Sequence, residues 1–295
     1  MMRERIEQWK SIFQTDENSI CKQLSGMAWD LAVFTCLVEA IDQAPDGPQG
    51  KQLNGVMVSM LANGFWHSAF LGVRKLADKH PIGGARGVCS IGGLIADAKA
   101  ARQLITRRVF VEEIAGLNYD YVATRARFEE FVRAHPASTI VSGRRFDEEL
   151  SIRRHLEFDT LSGTTEQNRT ADDVIREDFF VALEQRMARL EGVVTHTHID
   201  VAHAATEASR AGRQLESWQL TDAKNAFRDL AQTAEILGSA LCYDGIGSVL
   251  PRPQFDQFEH IEQPLFSGDP AVLHAKWDEL SAEITRWHDV SEIRL

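Results

Sequence analysis

The chain has 295 residues, 44% hydrophobic and 25% charged, with a formal net charge of −11. This is the composition of a soluble globular protein, long enough for one large domain or two small ones. The acidic balance excludes a surface that as a whole attracts nucleic acid or anionic membrane. Local balance differs: Lys99 to Arg154 holds 11 Lys/Arg and 8 Asp/Glu, a net of +3 that leaves −14 on the rest. Cys21, Cys36, Cys89 and Cys242 are scattered with no CxxC pair, which points to free thiols in a reducing cytoplasm. The opening "MMRERIEQWK" is charged and amphipathic and lacks the apolar core of a signal sequence.

In chain order the pattern is helical almost throughout. Ile20, Leu24, Met27, Leu31, Phe34, Val38 and Ile41 fall at alternating steps of four and three, a helix stripe over 19–41. "TDEN" before it offers Thr15 or Asp16 as an N-cap, and "APDGPQG" after it breaks the chain. A second helix, about 52–79, carries Met57, Leu61, Phe65, Ala69, Val73 and Leu76. Its uncharged stretch from Gln52 to Val73 is of membrane-span length, but Asn54, Ser59, Asn63, His67 and Ser68 lie within it. It reads as a buried core helix, with no membrane partner expected. "HPIGGARG" ends it, and Ser90 is placed to cap a short third helix running to about 103.

"ITRRVFVEEIAGL" is a further helical stretch, followed by arginine-rich polar helices at 122–134 and 146–158, with "PASTIVSGRR" between them as a loop or short strand. The arginine-rich run reads as a solvated face of mixed charge or, alternatively, a nucleic-acid patch. "LSGTTEQNRTADD", 161–173, has no apolar periodicity and is the best linker in the chain. One long helix is expected from about 174 to 211 on the stripe Phe180, Leu183, Met187, Leu190, Val194, Val201, Ala205 and Ala208. Another follows at 221–242, then a proline-rich loop, then a last helix at about 270–289 with Leu273, Trp277, Leu280, Ile284 and Trp287. The fold class is all-α, a bundle with an inserted middle segment.

"VVTHTHIDVAHAA", Val193 to Ala205, concentrates His196, His198, Asp200 and His203. "THTHID" resembles the His-x-His-x-Asp-His zinc motif of metallo-β-lactamase-type hydrolases. Val201 stands where that motif needs its last histidine, and the flanks are helical where that family has strands. Helical spacing puts His196, Asp200 and His203 on one side, where they form a possible metal set or simply a wet face. The same spacing puts His198 with the core stripe.

Three other elements together resemble the HEPN superfamily, in its AbiU-like abortive-infection branch. "GFWHSAFLGVRKLADKH", Gly64 to His80, is similar to a helix ending in Arg-x-Leu-x-Asp, here Arg74, Leu76 and Asp78. "CSIGGLIADA" is similar to the segment that follows it, and "HIDVAHAATEASR" to the helix carrying Ala-His, here Ala202 and His203. The resemblance implies an up-down four-helix bundle over 1–105 and 173–295, with 106–172 inserted, and usually a homodimer. Many members are metal-independent ribonucleases, in defence or toxin roles with an antitoxin partner. Their motif is an arginine, four to six residues, then a histidine. The histidine serves as general acid/base and the arginine stabilises phosphoryl charge.

His203 matches that histidine. The arginine positions hold His198, Thr197 and His196, and a histidine is charged only conditionally and lacks the guanidinium fork. Arg189 and His196 also satisfy the spacing. Arg74 and Asp78 are either supports for the active helix or an i,i+4 ion pair. The resulting expectation is a cytoplasmic HEPN-type protein that acts on RNA without cofactor or resident metal, through His203, with His198 or His196 in the charge-stabilising place. The alternatives are a non-catalytic dimeric module binding RNA or protein, and a metal-dependent hydrolase using His196, Asp200 and His203.

Overall fold

The computed structural model describes residues 2–48, 50–134, 142–202, 217–250, 253–263 and 267–287. It is mostly helical, with 70% helix and 2% strand. Contacts divide the chain into two compact units, Met1–Pro251 and Arg252–Leu295.

In the first unit, α1 (Met2–Lys10) runs into a π-helical turn at Ser11–Thr15, burying Ile6, Trp9, Ile12 and Phe13. The next helix, α2 (Ile20–Gln43), is capped by Ser19, whose Oγ accepts from Lys22 N at 3.4 Å. The cap, expected at Thr15 or Asp16, lies further along at Ser19. Thr15 is spent in the π turn, and the Asp16 carboxylate accepts from Asn18 N instead. A minimal hairpin, β1 (Asp46–Gly47) with β2 (Gly50–Lys51), turns the chain into α3 (Gly55–Ala77), capped by Asn54.

The two long helices pair along their lengths. Phe34 stacks on Phe65, with ring centroids 4.0 Å apart. The expectation of a buried core helix holds only for the second half of α3, where Phe65, Ala69, Phe70, Val73 and Leu76 are buried. Its first half leaves Val56, Met60 and Leu61 exposed. Met2–Gln43 and Gly55–Ala77 each contain a helical stretch long and apolar enough to cross a membrane by length and composition.

Helix α4 (Ile91–Ala100) starts at Ser90, as its sequence signal indicates. Ser90 Oγ accepts from Gly93 N and donates to Asp78 O, fastening the start of α4 to the end of α3. Gly92 makes this approach possible. A Cβ there would lie 2.5 Å from the carbonyl oxygens of both Ala77 and Asp78, closer than any side chain tolerates.

A π-helical segment, Val109–Ile114, leads to α5 (Tyr121–Ala134), which packs on α6 (Ser142–Ser162). The stretch 161–173, expected as a linker, is fastened to the fold. Arg107 N–H donates to Asp173 O and Arg176 N–H to Leu161 O, and Thr106 bridges Val174. Segment 106–172 therefore shares the core of the first unit through Phe110, Val111, Ile114 and Phe158.

Helix α7 (Glu177–Ala188) is followed by α8 (Glu191–His196) and a π-helical turn at Thr197–Ala202. Helix α9 (Leu220–Leu237) buries Ala223, Phe227, Leu230, Ala234 and Leu237 against the other helices and ends in a π turn at Gly238–Cys242. In the second unit, α10 (Pro270–Arg286) begins at Asp269, whose carboxylate accepts from Ala271 N, with Pro270 at the first helical position.

The described cysteines are free thiols, as expected. Burial pushes Cys21 and Cys89 up to about 11 and Cys242 up to about 12, with nearby carboxylates adding to the first two. They are protonated at neutral pH and poor nucleophiles.

Candidate functional site

The histidine-rich element is set up by a break that the periodicity does not reveal. After α7, Arg189 N–H donates to Arg186 O and Leu190 N–H to Met187 O, tightening the last turn. Helix α8 then restarts with Val194 N–H on Leu190 O. A stripe drawn as one continuous helix over 174–211 therefore misplaces the residues just beyond this point, although Val201 still packs against the core. Val193, His196 and Thr197 face inward.

His196 is 8% exposed. Its ring centre lies 4.7 Å from that of Phe70 on α3 and 5.8 Å from that of Trp218. Thr197, fully buried, donates its hydroxyl to Val193 O at 2.7 Å and reaches Phe70 O at 3.3 Å. His198 is exposed. This reverses the expectation that His198 joins the core and His196 the outer strip.

Asp200 sits within the π turn. Its side chain, and the whole of His203, lie outside the described residues. Among the described residues, no three His, Cys, Asp or Glu side chains are grouped to hold a metal ion. His196, packed between two aromatic rings, is withdrawn from the outer metal set expected with Asp200 and His203. Arg189, at motif spacing from His196, reaches Asp229 on α9 at 3.4 Å.

Asp78 closes α3. Its Oδ1 accepts from His80 N at 2.8 Å and meets His80 Nδ1 at 2.6 Å. Burial works to raise its carboxyl, but these hydrogen bonds and the charges of His80 and Arg74 outweigh it and hold Asp78 below the usual carboxylate range. Arg74 acts on Asp78 through charge, and the carboxylate itself is spent on His80. The "IGGARG" and "SIGGL" glycines serve turns and close packing, with Gly84 at φ +79°.

The polar chemistry that sequence reasoning missed lies in the middle segment. Arg107 is fully buried. Its Nε donates to Asp173 at 3.0 Å, one terminal nitrogen donates to His155 O at 3.0 Å, and the other reaches Asp159 at 2.9 Å and Thr164 Oγ1 at 2.5 Å. Arg169 forks onto the same Asp159 at 2.5–3.1 Å. Burial works to raise both carboxyls. Hydrogen bonds and the arginine charges overcome it, so Asp159 and Asp173 both lie below the usual range.

One turn before Asp159, Arg154 is buried with its guanidinium 3.4 Å above the Phe110 ring, donating to Ser239 O and Ala240 O. Burial lowers it to about 10, with Glu157 opposing the shift.

His155 stands beside this network. Its side chain is 3% exposed, Nε2 is 2.8 Å from Tyr119 O, and Nδ1 has no hydrogen-bond partner among the described residues. Burial, with the charges of Arg107 and Arg169, lowers its pKa, partly offset by the Tyr119 carbonyl, so the ring is neutral. The signal that could have pointed here was the pair of arginines at 107 and 108 beside a run of acceptor-rich residues at 159–173. Only the folded chain brings them together. No protein-family model, no curated protein and no solved structure matches the chain.

Proposed function

We propose that the chain is a HEPN-like helical protein of defence or toxin type that acts on RNA, with His198 and His203 as its working residues. The observation that carries this reading is the π-helical turn Thr197–Ala202, which follows a buried His196 and leaves His198 exposed. π turns within helices concentrate at functional positions, because their wider ladder re-aims side chains at some cost in stability. Of the three residues at motif spacing before His203, Thr197 is buried and His196 is packed on Phe70 and Trp218. His198 is left to take the charge-stabilising place.

In this reading His203 moves the proton at the ribose 2′-hydroxyl or the leaving oxygen, and His198 takes the place that offsets phosphoryl charge. No metal takes part. Cytoplasmic location, a homodimer and an antitoxin partner belong to the same proposal. The exposed Val33, Val56, Met60 and Leu61 along α2 and α3 support the dimer.

The departure from the family's arginine favours a second reading, a non-catalytic dimeric module that binds RNA or protein. Incubating the purified chain with mixed RNA, with and without a chelator, separates the possibilities. Chelator-resistant cleavage that disappears in His203→Ala and falls in His198→Ala supports the nuclease. Binding without cleavage supports the module. Cleavage abolished by the chelator contradicts both.

A further inference from the structure

We infer that the cavity beside His155 is a nucleotide site that holds an amino-bearing base, presented free or as an unstacked base of a single strand. The cavity measures about 710 Å³, within the range of small-molecule sites, and lies between the start of α5, the middle of α6 and the turn at 166–169. It is built from other residues than His198 and His203, and the inference does not rest on the ribonuclease reading.

The argument starts with the His155 tautomer. The Tyr119 carbonyl only accepts, so Nε2, at 2.8 Å, carries the proton. The neutral ring then presents a lone pair at Nδ1, which is buried and unpartnered among the described residues. A buried acceptor left unmade costs about 1–3 kcal/mol. The group that completes it must be a donor, an N–H or O–H, which excludes a bare phosphate or carboxylate at this point.

The walls specify the rest. The rings of Tyr119 and Tyr121 meet His155 edge-on at 4.9 and 5.7 Å. Nδ1 is closed off from solvent behind these walls, so binding requires a tyrosine side chain to turn as the ligand enters; both tyrosines are half-buried, and their rings offer a flat π face. Flat heterocycles with N–H groups satisfy both demands, and nucleobases are bound by such stacking and edge contacts.

Arg108 lies at the rim with its guanidinium 4.8 Å from the Tyr119 ring centre, more than half exposed, and held to Glu112 at only 3.5 Å. That exposed ion pair is weak enough for a phosphate, which a guanidinium grips as a fork, to compete with Glu112 for it. Glu166 also lines the cavity, and its carboxylate suits sugar hydroxyls, which donate. Base, sugar and phosphate thus each have a matching group.

The test is calorimetric titration of the full chain with adenosine 5′-monophosphate, adenosine, purine riboside 5′-monophosphate (which lacks the amino group) and a short oligoadenylate. The amino-bearing nucleotide should bind about tenfold more tightly than the purine analogue, the worth of one buried hydrogen bond. Arg108→Gln, an exposed substitution, should weaken the monophosphate severalfold and leave adenosine unchanged.

His155→Phe should erase the amino preference. If its thermal melt shows it unfolded, the Arg108→Gln comparison and the ligand pair decide alone. Binding of the oligoadenylate only, with the same Arg108 sensitivity, assigns the site to a strand base and still supports it. Equal affinity for the amino and purine forms, indifference to Arg108→Gln, or no binding of any ligand would overturn the assignment.

Discussion

Arg107→Met is the substitution with the most calculable consequence. It removes a fully buried guanidinium and leaves a chain of similar volume. Three kinds of acceptor lose a donor: the Asp159 and Asp173 carboxylates, the His155 carbonyl, and Thr164 Oγ1. The carboxylates keep partial compensation. Asp159 retains the Arg169 fork, and Asp173 retains Thr170 N at 3.0 Å and Thr170 Oγ1 at 2.6 Å.

Breaking a buried pair by removing one partner costs about 3–5 kcal/mol, and these residual contacts place the loss near the lower end, about 3 kcal/mol. Because Arg107 ties 155–173 to the core, the loss should appear in the global transition as well as locally. The assay is urea unfolding at pH 7 with far-ultraviolet circular dichroism, beside hydrogen exchange of residues 155–176. A fall in stability of about 3 kcal/mol with faster exchange across that segment is expected. A change under about 1 kcal/mol would refute the claim that this network holds the middle segment in the fold.

Further outcomes follow from the same geometry. His196→Ala empties the space between Phe70 and Trp218 and should cost about 2 kcal/mol in chemical unfolding. His198→Ala, on an exposed site, should stay within about 0.5 kcal/mol of the parent, and equal losses would contradict the assigned faces. Gly92→Ala drives a Cβ into the Ala77 and Asp78 carbonyls and should lower the melting temperature by several degrees, or prevent folding.

Acid should act in two steps. His155 titrates below 6.5 in the fold, so its contribution is present above pH 6.5 and is lost as pH falls through its folded value. Asp159 and Asp173 lie below 3.8, so theirs is present above about pH 4 and is lost on further acidification. Stability that stays flat from pH 7 to 3 would rule this out. The proposed dimer is tested by sedimentation: the parent chain should run as a dimer and Met60→Glu, on the exposed apolar edge of α3, as a monomer without a loss of helix, and a monomeric parent would contradict the proposal.

Much of the fold is legible in the residues themselves. Ser90 before an apolar run, Gly92 beside it and the 20–41 stripe each encode a local geometry, and each is found where its chemistry requires. The His196 and His198 orientations were not legible. A stripe fixes a face only while the helix is unbroken, and the turn at Arg189–Leu190 resets it with no proline and only the nearby Gly192 to hint at it. Arg107 was hidden for a different reason. In "ITRRVF" it looks no different from its exposed neighbour Arg108, and its partner Asp173 is 66 residues away. Tertiary contact alone separates a buried guanidinium from a solvated one. His155 shares that fate, because its open Nδ1 becomes meaningful only once the Tyr119 carbonyl has fixed the tautomer.

The most direct test of the central claim is cleavage of end-labelled RNA by the purified chain in excess chelator, run beside His203→Ala. The account predicts discrete products from the parent chain and none from the variant. Intact RNA with the parent, or products unchanged in the variant, would contradict it.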